Sequence, residues 1–223
     1  MNRFFKPNLT MWEGQDAFVI GGGPSLSSFD WDVLKNRNTI GCNDAYQLGS
    51  EICKVCVFGD EGWFNGIPSS RYKGHKSRLE KFTGIVVTNH PLFVSASTPS
   101  WVRVMGRQER GLAWRGDDWM LGFGFNTGIA AVNLALLFGA RRVYLLGFDM
   151  DLGQTGEANW HVNEVDMPTA SVYTRFLSGF FYVKRDLERY FPGREIINLT
   201  DRSKLDLFPK VSLKTFDWSP YEN

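Results

Sequence analysis

Ala17-Phe18-Val19-Ile20-Gly21-Gly22-Gly23-Pro24-Ser25-Leu26 sets a short apolar run directly against three glycines and a proline. A run stopped in this way reads as a strand followed by a tight turn, and Leu26, Phe29, Trp31 and Leu34 continue it as a short amphipathic helix. Three consecutive glycines let the backbone approach a ligand closely. Pro24 and Ser25 then open a helix whose unpaired N–H groups attract an anion. A phosphate site is expected here, because a plain strand-to-helix turn needs one glycine rather than three. The stretch is not the phosphate loop G-x-x-x-x-G-K-[ST], and it lacks the third glycine of the dinucleotide fingerprint. Asp44 stands about where an acidic ribose ligand would fall, so spacing alone leaves a NAD or S-adenosylmethionine site open.

Outward from this turn, Asn38 to Asn43, Ile52 to Asp60 and Gly84 to Thr88 read as further strands, with weak helical material between the last two. Ile129 to Phe138 has helix-forming composition and opens after Asn126-Thr127-Gly128. Arg142 to Asp149 follows as a buried strand. Val172, Phe176, Phe180, Val183 and Leu187 recur at helical spacing before a last strand, Glu195 to Leu199. Alternation of this kind predicts an α/β fold with a mostly parallel sheet, helices on both faces, and ligands at the carboxyl ends of the strands. Three motifs fall on such ends: the glycine turn, Asn43-Asp44, and Gly147-Phe148-Asp149. The segment 95–125 is rich in Trp, Arg and Gly without a clean period and reads as a flap inserted into the domain. The tail 205–223 carries Phe208, Phe216, Trp218 and Tyr221 and is expected to cover the core or a neighbouring subunit.

The chain has 223 residues, and 25 Lys+Arg against 24 Asp+Glu give a formal charge of +1, which fits one domain over 1–223 and carries no global nucleic-acid signature. With 43% hydrophobic and 22% charged residues it has the composition of a globular chain. The apolar stretch Ile129 to Ala140 is interrupted by Asn133 and is shorter than the ~20 residues a bilayer requires. No apolar signal core follows Met1, so a cytoplasmic location is expected. Cys53-Lys54-Val55-Cys56 matches C-x-x-C, but it lies in a predicted strand with no second ligand pair, so Cys42, Cys53 and Cys56 read as reduced core thiols.

Ile20-Gly21-Gly22-Gly23-Pro24-Ser25-Leu26, Gly41-Cys42-Asn43, Asn126-Thr127-Gly128 and Leu146-Gly147-Phe148-Asp149 occur in the order found in one superfamily. From about Ala17 to Phe181 the chain resembles the Rossmann-like bacterial sialyltransferases that modify lipooligosaccharide. It is also similar to a domain of archaeal 6-hydroxymethylpterin diphosphokinases, of flagellin-modifying proteins and of phage-encoded proteins of unassigned role. The resemblance implies that Gly21, Gly22, Gly23, Pro24 and Ser25 surround a nucleotide phosphate, with Asn43 near ribose or phosphate. It implies that Asn126, Thr127 and Gly128 contact the nucleotide from the opposite loop. His161 stands where the sialyltransferases carry the general base on the acceptor hydroxyl, a role for which imidazole is suited. Those enzymes have Asn where this chain has Gly22, and tyrosines where it has Asp151 and the Gly153 to Gly156 stretch.

Asp60, Asp149 and Asp151 resemble the acidic positions of the diphosphokinase-like branch, where carboxylates hold Mg²⁺ together with substrate phosphates. Turn and cap chemistry is the competing reading of such aspartates. Glu157 and Glu164 are alternatives for orienting or replacing His161, while His75 and His90 read as packing residues. Arg71, Lys73, Lys76, Arg78 and Lys81 read as a solvated face. Arg103, Arg107, Arg110 and Arg115 among Trp101, Trp114 and Trp119 suggest stacking on sugars or bases. The expected activity is transfer of a glycosyl group from a nucleotide-activated donor, a CMP-sugar or another nucleotide sugar, to a hydroxyl of a glycan or other acceptor, with His161 and Asp149 catalytic. A nucleic-acid acceptor and an oligomer remain open. The alternatives are Mg²⁺-dependent pyrophosphoryl transfer from ATP and a non-catalytic nucleotide-binding protein.

Overall fold

The computed structural model describes residues 4–66, 74–161 and 170–219. Its strands are β1 (Asp16–Ile20), β2 (Thr39–Cys42), β3 (Val55–Phe58), β4 (Ile85–Thr88), β5 (Val102–Val104), β6 (Gly106–Gln108), β7 (Met120–Gly122), β8 (Arg142–Leu146) and β9 (Glu195–Asn198). Seven of them form one sheet in the order β5-β4-β3-β2-β1-β8-β9, and every pairing within it is parallel. β6 and β7 form a separate parallel pair. The chain runs outward from β1 to β5 and then crosses back to β8 on the other side of β1. That reversal opens a crevice at the carboxyl ends of β1 and β8, where a doubly wound sheet binds its ligands. Ile20 lies opposite both Gly41 and Leu146 at this end. At the other end, the Arg142 guanidinium forks onto the Asp16 carboxylate at 2.9 and 2.7 Å and fixes the same register.

Alternate residues of the strands feed two cores. Ala17, Val19, Ile40, Val57 and Val87 face one side, where α3 (Thr127–Leu137) and α4 (Ala170–Tyr190) cover them. Phe18, Ile20, Cys56, Phe58 and Val86 face the other, under α1 (Glu61–Asn65) and α2 (Lys76–Leu79). The α/β architecture with a Rossmann-like parallel sheet and helices on both faces is therefore the observed one. Every residue of α3 from Gly128 to Leu137 is buried, because the helix lies between the sheet and α4. This explains its composition: a helix covered on all sides has no polar stripe.

Two local expectations are corrected. After the glycine turn the chain makes two separate 3₁₀ turns, Pro24–Leu26 and Trp31–Leu34, rather than an amphipathic α-helix. Side chains compete for its backbone: the Ser27 hydroxyl donates to the Pro24 carbonyl at 2.6 Å, and Asp30 accepts the Asp32 N–H at 3.1 Å. Leu26 and Leu34 are nevertheless buried. The segment 95–125 contains β5, the edge of the main sheet, together with β6 and β7. Asn133, the one break in the apolar run of α3, holds this segment: its Oδ1 accepts the N–H groups of Gly122 (2.7 Å) and Ala113 (2.9 Å), and its Nδ2 donates to the Ala113 carbonyl (2.9 Å). Asp186 of α4 accepts the Leu112 N–H at 3.0 Å.

The C-terminal tail packs on the second core, with Trp218 stacked on Phe18 at 5.5 Å and Phe216 edge-on to Tyr144 at 5.0 Å. The three cysteines are free thiols, as read from the sequence; burial pushes the Cys53 thiol up to about 12 and raises Cys42 and Cys56 as well. Among the described residues no helix is long and apolar enough to cross a membrane.

Candidate active site

A cavity of about 750 Å³ opens at the carboxyl ends of β1, β2, β3 and β8. Each wall comes from one connection. Gly21, Gly22 and Gly23 follow β1, Asn43 and Asp44 follow β2, and Asp60 follows β3. Asn126, Thr127 and Gly128 begin α3, Gly147 to Asp151 follow β8, and Ala158, Asn159 and His161 precede α4, which contributes Val172, Tyr173 and Phe176. The strand-end motifs singled out in the sequence thus meet in one place, whereas no described residue of 95–125 lines the cavity.

The glycines have a packing reason. A Cβ on Gly21 would stand 2.6 Å from the Gly147 carbonyl oxygen, and one on Gly23 would stand 1.8 Å from Asp149 Oδ2. Only bare backbone lets the loop after β8 close on the turn after β1. The Gly21 and Gly23 N–H groups donate to the Leu146 and Gly147 carbonyls at 2.8 and 2.9 Å. Ser25 donates its N–H to Asp149 Oδ1 at 3.1 Å and its hydroxyl to Oδ2 at 2.8 Å. The anion at this turn is therefore Asp149 itself, and Pro24 and Ser25 lie outside the cavity lining. Burial raises the Asp149 carboxyl above its ordinary range against the lowering effect of the Ser25 hydrogen bonds.

His161 reaches the cavity on a loop fastened to the same turn. The Trp160 N–H donates to the Gly22 carbonyl at 3.0 Å, and its indole Nε1 donates to the Gly21 carbonyl at 2.9 Å. The Trp160 ring packs on Trp31 at 4.8 Å and meets the His161 ring edge-on at 5.0 Å. A Cβ on Gly22 would lie 2.7 Å from Asn159 Oδ1 and 3.7 Å from His161 Nε2. Asn159 therefore fills space beside the turn residue that is Asn in the sialyltransferases the sequence resembles. His161 Nδ1 is buried without a hydrogen-bond partner among the described residues. Glu157 accepts the Thr155 N–H at 3.1 Å, and Glu164 lies outside the described residues.

Thr127, the first residue of α3, also lines the cavity. Asn126 caps that helix, its Oδ1 accepting the Gly128 N–H at 2.7 Å. Thr127 Oγ1 would lie 3.2 Å from a Cβ on Gly59, so the missing side chain at Gly59 makes room for it. Asn43 adopts the left-handed region (φ 49°), and its buried Oδ1 has no partner among the described residues.

Sequence reasoning singled out Asp44 but missed the rest of its wall. Asp44 accepts Gln47 Nε2 on Oδ1 at 2.7 Å and Trp63 Nε1 on Oδ2 at 2.9 Å, and His75 Nε2 lies 3.6 Å from Oδ1. His75 stacks on Trp63 at 4.2 Å, with Nδ1 2.9 Å from the Tyr46 hydroxyl. His75 is thus a wall residue and not packing alone, and Arg78 of α2 joins it. Arg71 and Lys73 lie outside the described residues. The only hint in the sequence was the position of Asp44 directly after a strand.

The expected Mg²⁺ set does not assemble. Asp60 Oδ1 caps α1 through the Trp63 N–H at 2.9 Å, Asp149 is bound by Ser25, and Asp151 pairs with Lys204 at 2.7 Å near the surface. Among the described residues no three His, Cys, Asp or Glu side chains converge as metal ligands.

No protein-family model matches the chain, and no curated protein does. Solved structures do. The MAf glycosyltransferase from Magnetospirillum magneticum AMB-1 superposes with a TM-score of 0.59 at 18% identity, over 96% of this chain and 37% of its own. The sialyltransferase CstII from Campylobacter jejuni, determined with the substrate analogue cytidine-5'-monophosphate, superposes with a TM-score of 0.55 at 15% identity, over 92% of this chain and 88% of its own. The chain therefore shares its fold with these two proteins, and it spans well under half the length of the first of them.

Proposed function

We propose that the protein is a glycosyltransferase that moves a sugar from a nucleotide-activated donor to an acceptor hydroxyl. The observation that carries this reading is the juxtaposition of His161 with the N-terminus of α3 across one cavity at the β1/β8 crevice. A transferase of this kind needs a base for the entering hydroxyl and positive potential for the departing phosphate, and both groups line this cavity. Both fold relatives are glycosyltransferases, and one was determined with a cytidine nucleotide, which supports a CMP- or other nucleotide-sugar donor.

In this mechanism the donor phosphate lies against Thr127, whose hydroxyl and helix-terminal N–H oppose the charge that develops as the glycosidic C–O bond to phosphate breaks. His161 takes the proton of the acceptor hydroxyl as its oxygen bonds to the anomeric carbon. Trp160 holds the imidazole in reach by binding both turn carbonyls. Asn43 Oδ1, buried and unmatched among the described residues, accepts a donor hydroxyl. Tyr173 and Phe176 supply an aromatic wall for the base. Asp149 acts by fixing the glycine turn through Ser25.

The test is binding followed by turnover. Cytidine and uridine nucleotides are titrated by calorimetry, and transfer or donor hydrolysis is then measured for the wild type and His161→Ala. The expected result is retained nucleotide binding with turnover lowered by about 10²–10⁴-fold. Undiminished turnover in the variant, or no binding of any nucleotide, would overturn the proposal.

A further inference from the structure

Two of the three tryptophans in the segment 95–125 lean on other rings, Trp101 on Phe64 at 5.9 Å and Trp119 on Phe4 at 5.0 Å. Trp114 is half exposed, and it stands in the wall of a second cavity of about 470 Å³. Gln108, Leu112, Trp114, Asp117, Arg189 and Tyr190 line that cavity, which shares no described residue with the candidate active site. Tyr190 ends α4, and the start of the same helix supplies Tyr173 to the active site. At a rise of about 1.5 Å per residue the two positions lie about 25 Å apart along the helix.

The lining is set in place by its own hydrogen bonds. Gln108 Nε2 donates to the Arg110 and Leu112 carbonyls at 3.1 and 2.8 Å, which orients the amide and leaves its Oε1 as an acceptor. Asp117 Oδ2 accepts the Trp114 indole N–H at 2.8 Å, which fixes the ring and leaves Oδ1 as a second acceptor. The Arg189 guanidinium lies over the Tyr190 ring at 5.2 Å and brings donors. Fully buried Leu112 is the apolar element between them. The Trp114 and Tyr190 rings are 6.5 Å apart and inclined at 41°, so they form a corner and not a parallel slot. A flat base stacks best in a slot, whereas a puckered ring with C–H bonds on its faces and hydroxyls at its edge fits an inclined aromatic corner rimmed by both acceptors and donors. The volume is that of a small-molecule site, for which about 300–1,000 Å³ is usual, and a protein partner needs a surface of about 800 Å² rather than a cleft.

We propose that this cleft is a second saccharide site: it binds one pyranose unit of a glycan, with Trp114 as the stacking platform and Gln108, Asp117 and Arg189 as hydrogen-bonding partners. The inference stands on the cleft alone and does not depend on the reading of the active site. Beside a sugar-transferring centre, such a site anchors a long acceptor away from the point of transfer and raises its local concentration there.

The experiment titrates the full chain with maltohexaose, chitohexaose and a sialylated lactosamine oligosaccharide, as wild type, Trp114→Ala, Arg189→Ala and, to control for the active site, His161→Ala. The expected result is that at least one of the three binds wild type and His161→Ala alike and binds Trp114→Ala about tenfold or more weakly. In ¹⁵N spectra the Trp114 indole N–H signal, assigned by its loss in Trp114→Ala, should shift as that oligosaccharide is added. Binding of none of the three, or equal binding by Trp114→Ala, overturns the inference. A shift of the Trp114 signal with cytidine or uridine nucleotide and not with saccharide also overturns it and assigns the cleft to a base. Arg189→Ala carries the same comparison where Trp114→Ala does not fold. Loss of the transferase reading, through undiminished turnover in His161→Ala, leaves each of these outcomes unchanged.

Discussion

Asp149 receives both the backbone N–H and the hydroxyl of Ser25, at 3.1 and 2.8 Å, and so closes the loop after β8 onto the turn after β1. Burial raises this carboxyl. A carboxyl with a raised value in the folded state disfavours folding once ionised, and the folded state regains that stability by taking up a proton as pH falls. The window runs from the raised value down to the ordinary carboxylate value of about 4. Against an Asp149→Asn control, the wild-type Tm is expected to rise as pH falls through that window, read by thermal melts. Parallel pH profiles for the two proteins would show that ionised Asp149 carries no such cost.

Trp160→Phe keeps an aromatic ring on Trp31 but removes the indole donor to the Gly21 carbonyl. Turnover is expected to fall about tenfold with little change in nucleotide affinity, because the base loses its fixed position. Steady-state kinetics separates the two, and an unchanged kcat would free His161 from this clamp.

Asn126→Ala removes the cap of α3. A stability loss of about 1 kcal/mol is expected in denaturant unfolding. A second effect, weaker nucleotide binding, follows if the helix terminus faces phosphate; a stability loss with full nucleotide affinity would move the phosphate elsewhere.

Asn133→Leu is expected to cost about 2–4 kcal/mol, since it leaves the Gly122 and Ala113 N–H groups and the Ala113 carbonyl buried without partners. Amide hydrogen exchange at 113 and 122 should accelerate more than exchange in β1. Uniform acceleration would assign Asn133 a global role instead.

The sheet was legible where the chain spells out apolar runs: β1, β2, β3, β4, β8 and β9 each stand in a predicted strand, and α3 and α4 in predicted helices. The three-residue strands β5, β6 and β7 were not, because Val102, Gly106 and Met120 stand among Trp, Arg and Gly with too few residues to show a period. The residues that line the cavity were legible at the strand ends. The packing reason for Gly21 and Gly23 was not, since the partner that a side chain there would meet, the Gly147–Asp149 loop, is more than a hundred residues away. His75 escaped because its meaning lies in Trp63 and Asp44, neither of which is its neighbour in sequence.

Trp218 on Phe18 has a consequence for biosynthesis. β1 shows one face to a core that Phe216 and Trp218, far later in the sequence, complete. Until those residues emerge from the ribosome, Phe18 and Tyr144 lack the rings that cover them, so the nascent chain carries an open aromatic face. Such a chain has reason to lean on a holding chaperone, and variants of Phe216 or Trp218 should lose yield in cells before they lose activity in the purified fraction.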